Sequence, residues 1–204
     1  MTAESPREHW DAVYGNKDSR EVSWFQPSAD VSARLVGGQP GSVVDVGAGA
    51  SVLVDELLAA GRSDLTLLDV SRAALAETRR RLGTRADEVA FVVGDVLDWD
   101  PGRTYDCWHD RAVFHFLTDP VRQQQYVATA ARAVRPGGAL VLGTFGPDGP
   151  TSCSGLPTAR WAPEELAAVF AEHASLEHAE TEVHRTPWGS EQQFTWVVLR
   201  RTSA

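Results

Sequence analysis

The feature that most constrains this fold is a short apolar run that ends in a glycine-rich turn. Residues 43–49 read Val-Val-Asp-Val-Gly-Ala-Gly, and a helical pattern begins at Ser51. A buried strand that leads into a glycine turn and a helix start is a common cradle for a nucleoside-containing cofactor. The match is short enough to occur by chance, so its meaning depends on the rest of the chain.

Strand and helix patterns alternate from this turn onward. Five runs rich in apolar and β-branched residues are predicted strands, at residues 43–46, 65–69, 89–95, 105–109 and 139–145. The helices between them are predicted at residues 51–60, 71–82 and 119–134. This order is typical of a parallel α/β sheet with right-handed crossovers.

The chain ends in a different pattern. Residues 180–184 and 193–200 read as two strands, and Pro187-Trp188-Gly189-Ser190 between them reads as a hairpin connection. One more helix is predicted before them, at residues 163–172. We therefore predict an antiparallel pair beside an otherwise parallel sheet, within a core domain of residues 41–204.

Residues 1–40 precede the first strand and are an addition to the core. Ser5-Pro6-Arg7-Glu8 is a capping box with proline at the first helical position, so a short helix begins there and ends at Gly15-Asn16. A second helix is predicted at residues 27–36. The aromatic residues of this region either dock the helices onto the core or form a lid over a ligand. These residues are Trp10, Tyr14, Trp24 and Phe25.

Three acids lie at the carboxyl ends of successive strands, which is where open α/β sheets bind ligands. They are Asp45, Asp69 and Asp95. Asp69 follows Gly49 by twenty residues, the distance at which a carboxylate accepts both ribose hydroxyls of a cofactor on the glycine turn. The alternative is that each acid is a solvated turn residue. Val52 stands where a dinucleotide site has its third glycine, so a cofactor without a pyrophosphate fits better.

Composition narrows the possible partners. The net charge is −9 and no basic stripe is present, so nucleic acid is not an expected partner. No apolar run approaches the ~20 residues of a membrane span. The polar N-terminus and two isolated cysteines predict a cytoplasmic protein. The expected oligomeric state is a monomer or weak homodimer. The spacing of Cys107, His109 and His115 matches no known metal site, so no metal is expected.

Taken together, these segments make the chain resemble the class I S-adenosylmethionine-dependent methyltransferases over nearly its whole length. The matching segments are 44–49, Leu68-Asp69-Val70-Ser71, Val93-Gly94-Asp95-Val96, Tyr105-Asp106-Cys107-Trp108, Arg135-Pro136-Gly137-Gly138 and the terminal hairpin. The resemblance implies a Rossmann-like, doubly wound α/β sheet of seven strands. The sheet would be mostly parallel with the last strand antiparallel, and the N-terminal helices would form a lid.

The resemblance also assigns roles to individual residues. S-adenosyl-L-methionine would be the cofactor and S-adenosyl-L-homocysteine its product. Cofactor binding falls to Trp24, Asp45, Gly47, Ala48, Gly49, Asp69, Val70, Asp95, Val96 and Asp110. Asp69 would take the ribose hydroxyls, and the backbone of Asp110 would meet the methionine amino group.

Two further segments, His9-Trp10-Asp11-x-x-Tyr14 with Ser23-Trp24-Phe25 and residues 109–116, are similar to small methyltransferases of the thiopurine, tellurite and thiol type. The predicted catalytic residues are His115, as a base for a protonated acceptor, and Tyr14. Substrate contacts are predicted for Trp10, Arg111, Phe114 and Cys153.

Arg111 has two open interpretations, an ion pair with Asp110 or a contact with an anionic acceptor. The predicted function is methyl transfer to a small molecule, with a thiol or another soft nucleophile as an example. The alternatives are a protein-lysine methyltransferase and a cofactor-binding protein without catalysis.

Overall fold

A computed structural model of the protein describes residues 5–16 and 18–203. Residues 1–4 and 17 of the predicted lid region lie outside the described residues. The helices are α1 Pro6–Asn16, α2 Asp30–Gly37, α3 Leu53–Ala59, α4 Arg72–Leu82, α5 Pro120–Ala133 and α6 Pro163–Val169. The strands are β1 Val43–Val46, β2 Leu65–Asp69, β3 Val89–Val93, β4 Tyr105–Arg111, β5 Val134–Phe145, β6 Ser152–Cys153, β7 Leu156–Pro157, β8 Ala174–Arg185 and β9 Glu191–Arg201.

Seven of these strands form one sheet in the order β3-β2-β1-β4-β5-β9-β8. Strands β1 to β5 pair in parallel, whereas β9 pairs antiparallel with both β5 and β8. The predicted seven-stranded, doubly wound sheet with an antiparallel last strand is confirmed. The chain winds outward from β1 in two directions, so the carboxyl ends of β1 and β4 form the switch point where such sheets bind ligands.

Alternation along the strands builds a core on each face of the sheet. Val43 packs into one apolar cluster with residues of α2 and α3, whereas its neighbour Val44 packs into a second cluster with residues of α5. All four residues of β1 are buried, as expected for the central strand of a sheet covered on both faces. Burying each large apolar side chain contributes about 1.5–3 kcal/mol.

Several predicted boundaries differ from the structure. The second helix begins at Asp30, and β4 continues two residues further, to Arg111. The terminal strands are longer than predicted, because pairing between β8 and β9 runs from Ala174–Arg201 to Arg185–Glu191. Antiparallel pairing satisfies the backbone groups of polar segments whose side-chain pattern carries little strand signal.

The lid helix α1 is fixed to the core at its middle. Ser5 and Glu8 form the predicted capping box at its start. Asp11 accepts hydrogen bonds from the Ser71 hydroxyl at 2.7 Å and from the Ala73 amide at 3.2 Å, at the first turn of α4. The lid is thereby held beside the end of β2. Within residues 5–16 and 18–203, none of the helices has the length and apolarity to cross a membrane.

Candidate functional site

The turn after β1 requires glycine at two positions. Gly47 and Gly49 have φ angles of +63° and +52°, in the left-handed region that side chains disfavour. A Cβ atom on Gly47 would lie 2.0 Å from Val113 Cγ2, and one on Gly49 would lie 2.5 Å from the Tyr14 hydroxyl oxygen. The glycines therefore allow the backbone to pass closely under the lid and beside the segment after β4.

Asp69 links this turn to the end of β2. Its Oδ2 accepts from the Gly49 amide at 2.8 Å, and its Oδ1 accepts from the Ser71 amide at 2.7 Å. Each carboxylate oxygen keeps a second lone pair for a ligand. Burial raises the pKa of Asp69 from its ordinary 3.8 to about 6, although the Ser71 and Gly49 hydrogen bonds lower it.

A single cavity of about 650 Å³ runs from this turn to the end of β4. Its wall includes most of the residues predicted to bind cofactor or substrate: Trp10, Tyr14, Trp24, Asp45, Gly47, Ala48, Asp69, Val70, Asp95, Val96, Arg111, His115 and Cys153. The volume lies in the range of small-molecule sites. Both predicted groups of residues thus share one enclosed space.

Phe114 does not belong to this wall. It is fully buried and packs against Tyr126, Trp161 and Phe170. The prediction that Phe114 contacts the acceptor is wrong, because the short 3₁₀ turn at residues 114–116 directs its ring into the core. Phe116, two residues further, lies in the cavity wall instead.

Asp110 is also a core residue. Its carboxylate accepts from the Val113 amide at 2.8 Å, from the Phe114 amide at 3.0 Å and from the Tyr126 hydroxyl. The side chain is fully buried and outside the cavity wall, and burial raises its pKa to about 6. Asp110 holds the turn in which Ala112 has a φ of +74°. Its side chain therefore stabilises the segment that carries other wall residues.

Arg111 lies in the wall and is not paired with Asp110, so the predicted ion pair is wrong. Its Nη1 donates to the Trp24 carbonyl at 3.1 Å, and its guanidinium lies 4.6 Å from the centre of the Phe194 ring. Its Nε and Nη2 atoms are buried without a hydrogen-bond partner in the described part of the chain. Burial lowers the pKa of Arg111 to about 10, so the group remains a cation at neutral pH.

His115 stands near Arg111 and is neutral at physiological pH. Its Nδ1 accepts from the Phe145 amide at 3.3 Å, which assigns the proton to Nε2. Burial, with a smaller effect of Arg111, lowers the pKa of His115 to about 3. Nε2 is buried without a partner among the described residues. The arrangement leaves Nε2 of His115 as an unused hydrogen-bond donor beside the cavity and makes the ring a weak base.

The aromatic residues of the lid contact one another over the cavity. The Trp10 ring meets the rings of Trp24 and Phe116 edge-on, with centroids 5.6 and 5.2 Å apart. The Trp24 Nε1–H donates to the Tyr14 hydroxyl at 3.2 Å. Burial raises the pKa of Tyr14, so the phenol is neutral. Its contact with Gly49 places Tyr14 over the glycine turn.

Sequence reasoning missed two side-chain networks around the cavity. One is the Asp11–Ser71 contact that fixes the lid. In the other, His109 lies between Asp45, at 2.7 Å from Nδ1, and Ser32, at 2.9 Å from Nε2, and all three are buried. Both ring nitrogens of His109 are engaged, so the residue positions Asp45. Only the tertiary structure brings these distant segments together.

Cys153 lies in the wall on the short β6–β7 hairpin. Its Sγ is 3.6 Å from the Ser23 hydroxyl oxygen, and burial raises the pKa of the thiol. No group of three or more His, Cys, Asp or Glu side chains within residues 5–16 and 18–203 has an arrangement that could hold a metal ion.

Part of the chain matches a known protein family. Residues 43–138, which span β1 to the start of β5, match the family model of the methyltransferase domain. This segment is a class I S-adenosylmethionine-dependent methyltransferase domain. S-adenosylmethionine is the cofactor of this family, and solved structures similar to this chain contain S-adenosylmethionine or S-adenosylhomocysteine.

Curated relatives match between 54% and 65% of this chain. Trans-aconitate 2-methyltransferase from Methylobacterium nodulans is 34% identical over 65% of this chain and 48% of its own. Nodulation protein S from Rhizobium tropici is 30% identical over 54% and 45%. Malonyl-[acyl-carrier protein] O-methyltransferase from Halalkalibacterium halodurans is 29% identical over 54% and 41%. The chain thus spans less than half the length of these relatives.

Solved structures resemble this protein over nearly all of the chain. One, described for the conversion of a disulfide bond into a thioacetal group during echinomycin biosynthesis, has a TM-score of 0.79 at 24% identity and covers 97% of this chain and 93% of its own. The N-methyltransferase NodS from Bradyrhizobium japonicum, bound to S-adenosylhomocysteine, has a TM-score of 0.73 at 14% identity and covers 95% and 98%. At these identities the likeness shows the fold.

The residues that line the cavity fit S-adenosylmethionine. Asp69, with a free lone pair on each carboxylate oxygen, lies in the same wall as Val70 and Val96, whose apolar side chains suit an adenine ring. Asp95 accepts from the Leu97 amide at 3.0 Å through one oxygen, which leaves the other for a ligand. The positive φ angles at Gly47 and Gly49 bring bare backbone to the same place.

Affinity for S-adenosylhomocysteine is expected to rise with pH up to about pH 6 and to be constant above it. If Asp69 binds the ribose as predicted, the ribose hydroxyls would donate to its ionised carboxylate, so binding would favour the deprotonated form and lower the pKa from the value of about 6 in the free protein. Below pH 6, binding must expel a proton, and affinity falls by up to about tenfold per pH unit. Calorimetric titrations between pH 5 and 8 measure this effect; an affinity independent of pH would contradict it.

Asp11→Ala is expected to lower the melting temperature and to weaken S-adenosylhomocysteine binding. The change removes two hydrogen bonds that fix the lid to α4, each worth about 0.5–1.5 kcal/mol. Thermal melts and calorimetry measure both effects. Asp18→Ala is the control, because Asp18 caps a nearby turn and pairs with Arg20 at the surface. A lower melting temperature with wild-type affinity would show that Asp11 only stabilises the fold.

Proposed function

We propose that this protein transfers a methyl group from S-adenosylmethionine to a small-molecule acceptor, with thiols and other soft nucleophiles as the favoured class. One observation carries the proposal. One cavity wall contains Asp69 and Asp95, which end or follow β2 and β3, together with Cys153 and with Arg111 and His115, which end or follow β4 on the other side of β1. Donor and acceptor would therefore meet in a space of about 650 Å³ under an aromatic lid.

When bound, S-adenosylmethionine supplies a methyl group on a positively charged sulfur, which an acceptor lone pair attacks in line. The protein's contribution is to position the two reactants and exclude water. Asp69 would fix the ribose, while Trp10, Trp24 and Phe116 cover the cavity with apolar surface. Well-oriented reactants lower the barrier by up to about 7–11 kcal/mol.

Neither of the two residues proposed from the sequence as catalytic is suited to act as a base for the acceptor. His115, proposed from the sequence as a base, has a pKa near 3 and commits Nδ1 to the Phe145 amide. Tyr14 is a neutral phenol over the glycine turn. We infer that the acceptor enters with its lone pair already free, as a thiolate or another unprotonated nucleophile does. The buried cation of Arg111 favours an anion in this half of the cavity.

The same cation disfavours the lysine-methyltransferase alternative. A lysine side chain entering this half of the cavity would bring an ammonium group, or its costly deprotonated form, toward the buried guanidinium of Arg111. The names of two similar proteins also support a small acceptor. One relative is named for trans-aconitate, and a structural neighbour from Burkholderia thailandensis binds 1,6-didemethyltoxoflavin. Sulfur chemistry is named for the echinomycin structure.

The test is an acceptor screen with isotopically labelled S-adenosylmethionine and detection of S-adenosylhomocysteine. The panel contains small thiols, heterocyclic amines, organic acids, chalcogen oxyanions and a protein extract. We expect label on a small molecule, with thiols among the fastest acceptors. Label confined to a protein band would support the lysine alternative. Tight cofactor binding without turnover on any acceptor would support a non-catalytic binding protein.

A further inference from the structure

Arg111 lies in the cavity wall with part of its hydrogen-bonding capacity unused. Nη1 is occupied by the Trp24 carbonyl, which leaves Nε and Nη2, both buried and without a partner in the described residues. These two atoms lie on the same edge of the guanidinium plane. That edge matches the two oxygens of a carboxylate, which it binds through parallel hydrogen bonds.

None of the described carboxylates accepts a hydrogen bond from Nε or Nη2 of Arg111. Glu182 is near enough to raise the pKa of Arg111, yet it makes no hydrogen bond to it. Instead, its Oε2 accepts from Trp196 Nε1 at 2.7 Å and its Oε1 accepts from Gln26 Nε2 at 3.1 Å. Asp110 is directed into the core. An unpaired buried cation costs several kcal/mol, so a fork kept free in a ligand cavity indicates a ligand that pairs with it.

His115 adds a third donor in the same region. Its Nδ1 accepts the Phe145 amide proton, so Nε2 carries a hydrogen and lies buried without a described partner in the cavity wall. The residue lies four positions after Arg111, across the turn that Asp110 holds. Carboxylate oxygens are acceptors only, so one carboxylate can satisfy all three donors.

We propose that the acceptor substrate carries a carboxylate, bound side-on by Nε and Nη2 of Arg111 and by Nε2 of His115, as its anchor in the cavity. This rests on the proposed function and names its substrate class. A carboxylate whose oxygens accept three hydrogen bonds is a poor nucleophile, so the methyl group goes to another atom of the acceptor. Arg111 is thus a specificity-determining residue.

The experiment compares acids with neutral amides of the same shape on protein saturated with S-adenosylhomocysteine. The probe pairs are mercaptoacetate and mercaptoacetamide, succinate and succinamide, and tricarballylate and its triamide. Calorimetry measures affinity for the wild type, Arg111→Lys, Arg111→Met and Arg80→Gln. Arg80 is an exposed arginine of α4 outside the cavity wall and supplies the control for loss of charge.

At least one acid is expected to bind the wild type and Arg80→Gln about tenfold to a hundredfold more tightly than its amide, and to lose this preference in both Arg111 variants. Arg111→Lys keeps the positive charge and removes the fork. Loss of the preference for the acid in this variant therefore distinguishes bidentate binding from general electrostatic attraction. S-adenosylhomocysteine affinity is measured first, because it reports on folding and on the donor site independently of acid binding. Wild-type protein that fails to bind S-adenosylhomocysteine would refute the proposed function. Equal affinity for acids and amides, no acid binding, a preference that survives both Arg111 variants, or methyl-ester formation would overturn the proposal.

Discussion

Asp69→Ala is expected to weaken S-adenosylhomocysteine binding by roughly tenfold to a few hundredfold. The carboxylate lies at the end of β2, keeps a lone pair on each oxygen and faces the cavity beside the glycine turn. Hydrogen bonds to a charged acceptor are worth about 1.5–3 kcal/mol, and each 1.4 kcal/mol is a tenfold change in affinity. Isothermal titration calorimetry at pH 7.5 measures the effect. Unchanged affinity would refute the assignment of Asp69 to the ribose.

Two further variants separate binding from folding. Asp69 also accepts from the Gly49 and Ser71 amides, so its removal lowers stability as well. Asp69→Asn retains one acceptor oxygen, and we expect an intermediate affinity together with a weaker pH dependence below pH 6. Asp98→Ala removes an exposed acid outside the cavity wall and should leave affinity unchanged. Melting temperatures without ligand report the structural part of each change.

Asp110→Ala is expected to cost about 3–5 kcal/mol of the free energy of unfolding, because each buried donor left without an acceptor costs about 1–3 kcal/mol. The carboxylate is fully buried and accepts from two backbone amides and the Tyr126 hydroxyl, so its removal leaves three buried donors without their acceptor. For a protein of this size the melting temperature falls by roughly 2–4 °C per kcal/mol. Chemical denaturation and thermal melts measure the loss. A change below 1 kcal/mol would contradict the structural role.

The controls for Asp110 test which contacts matter. Asp119→Ala removes a cap at the start of α5, where Oδ1 accepts from the Val121 amide, and should cost only about 1 kcal/mol. Tyr126→Phe removes one donor to Asp110 and the acceptor of the Trp108 indole, and should fall between the two. If Asp110→Ala retains wild-type stability but binds S-adenosylhomocysteine more weakly, Asp110 instead acts mainly on the donor site.

The N-terminal region shows where sequence patterns were sufficient. The capping box at Ser5 fixed the start of α1, and helical spacing put Trp10 and Tyr14 on one face, which is the face that meets the cavity. The boundaries of residues 1–40 as a separate lid unit stay a prediction. The contact that holds α1, between Asp11 and Ser71, joins residues sixty positions apart, and no local pattern encodes it.

The sequence by itself determined the sheet, the glycine turn and the position of Asp69, because each depends on periodicity, on backbone freedom or on a spacing along neighbouring strands. Only the tertiary structure decided the segment after β4. There, the left-handed Ala112 and the Asp110 hydrogen bonds turn Phe114 into the core and Arg111 into the cavity. Side-chain direction in an irregular segment follows from contacts with distant strands, so the sequence alone did not determine which side chains of this segment line the cavity and which enter the core.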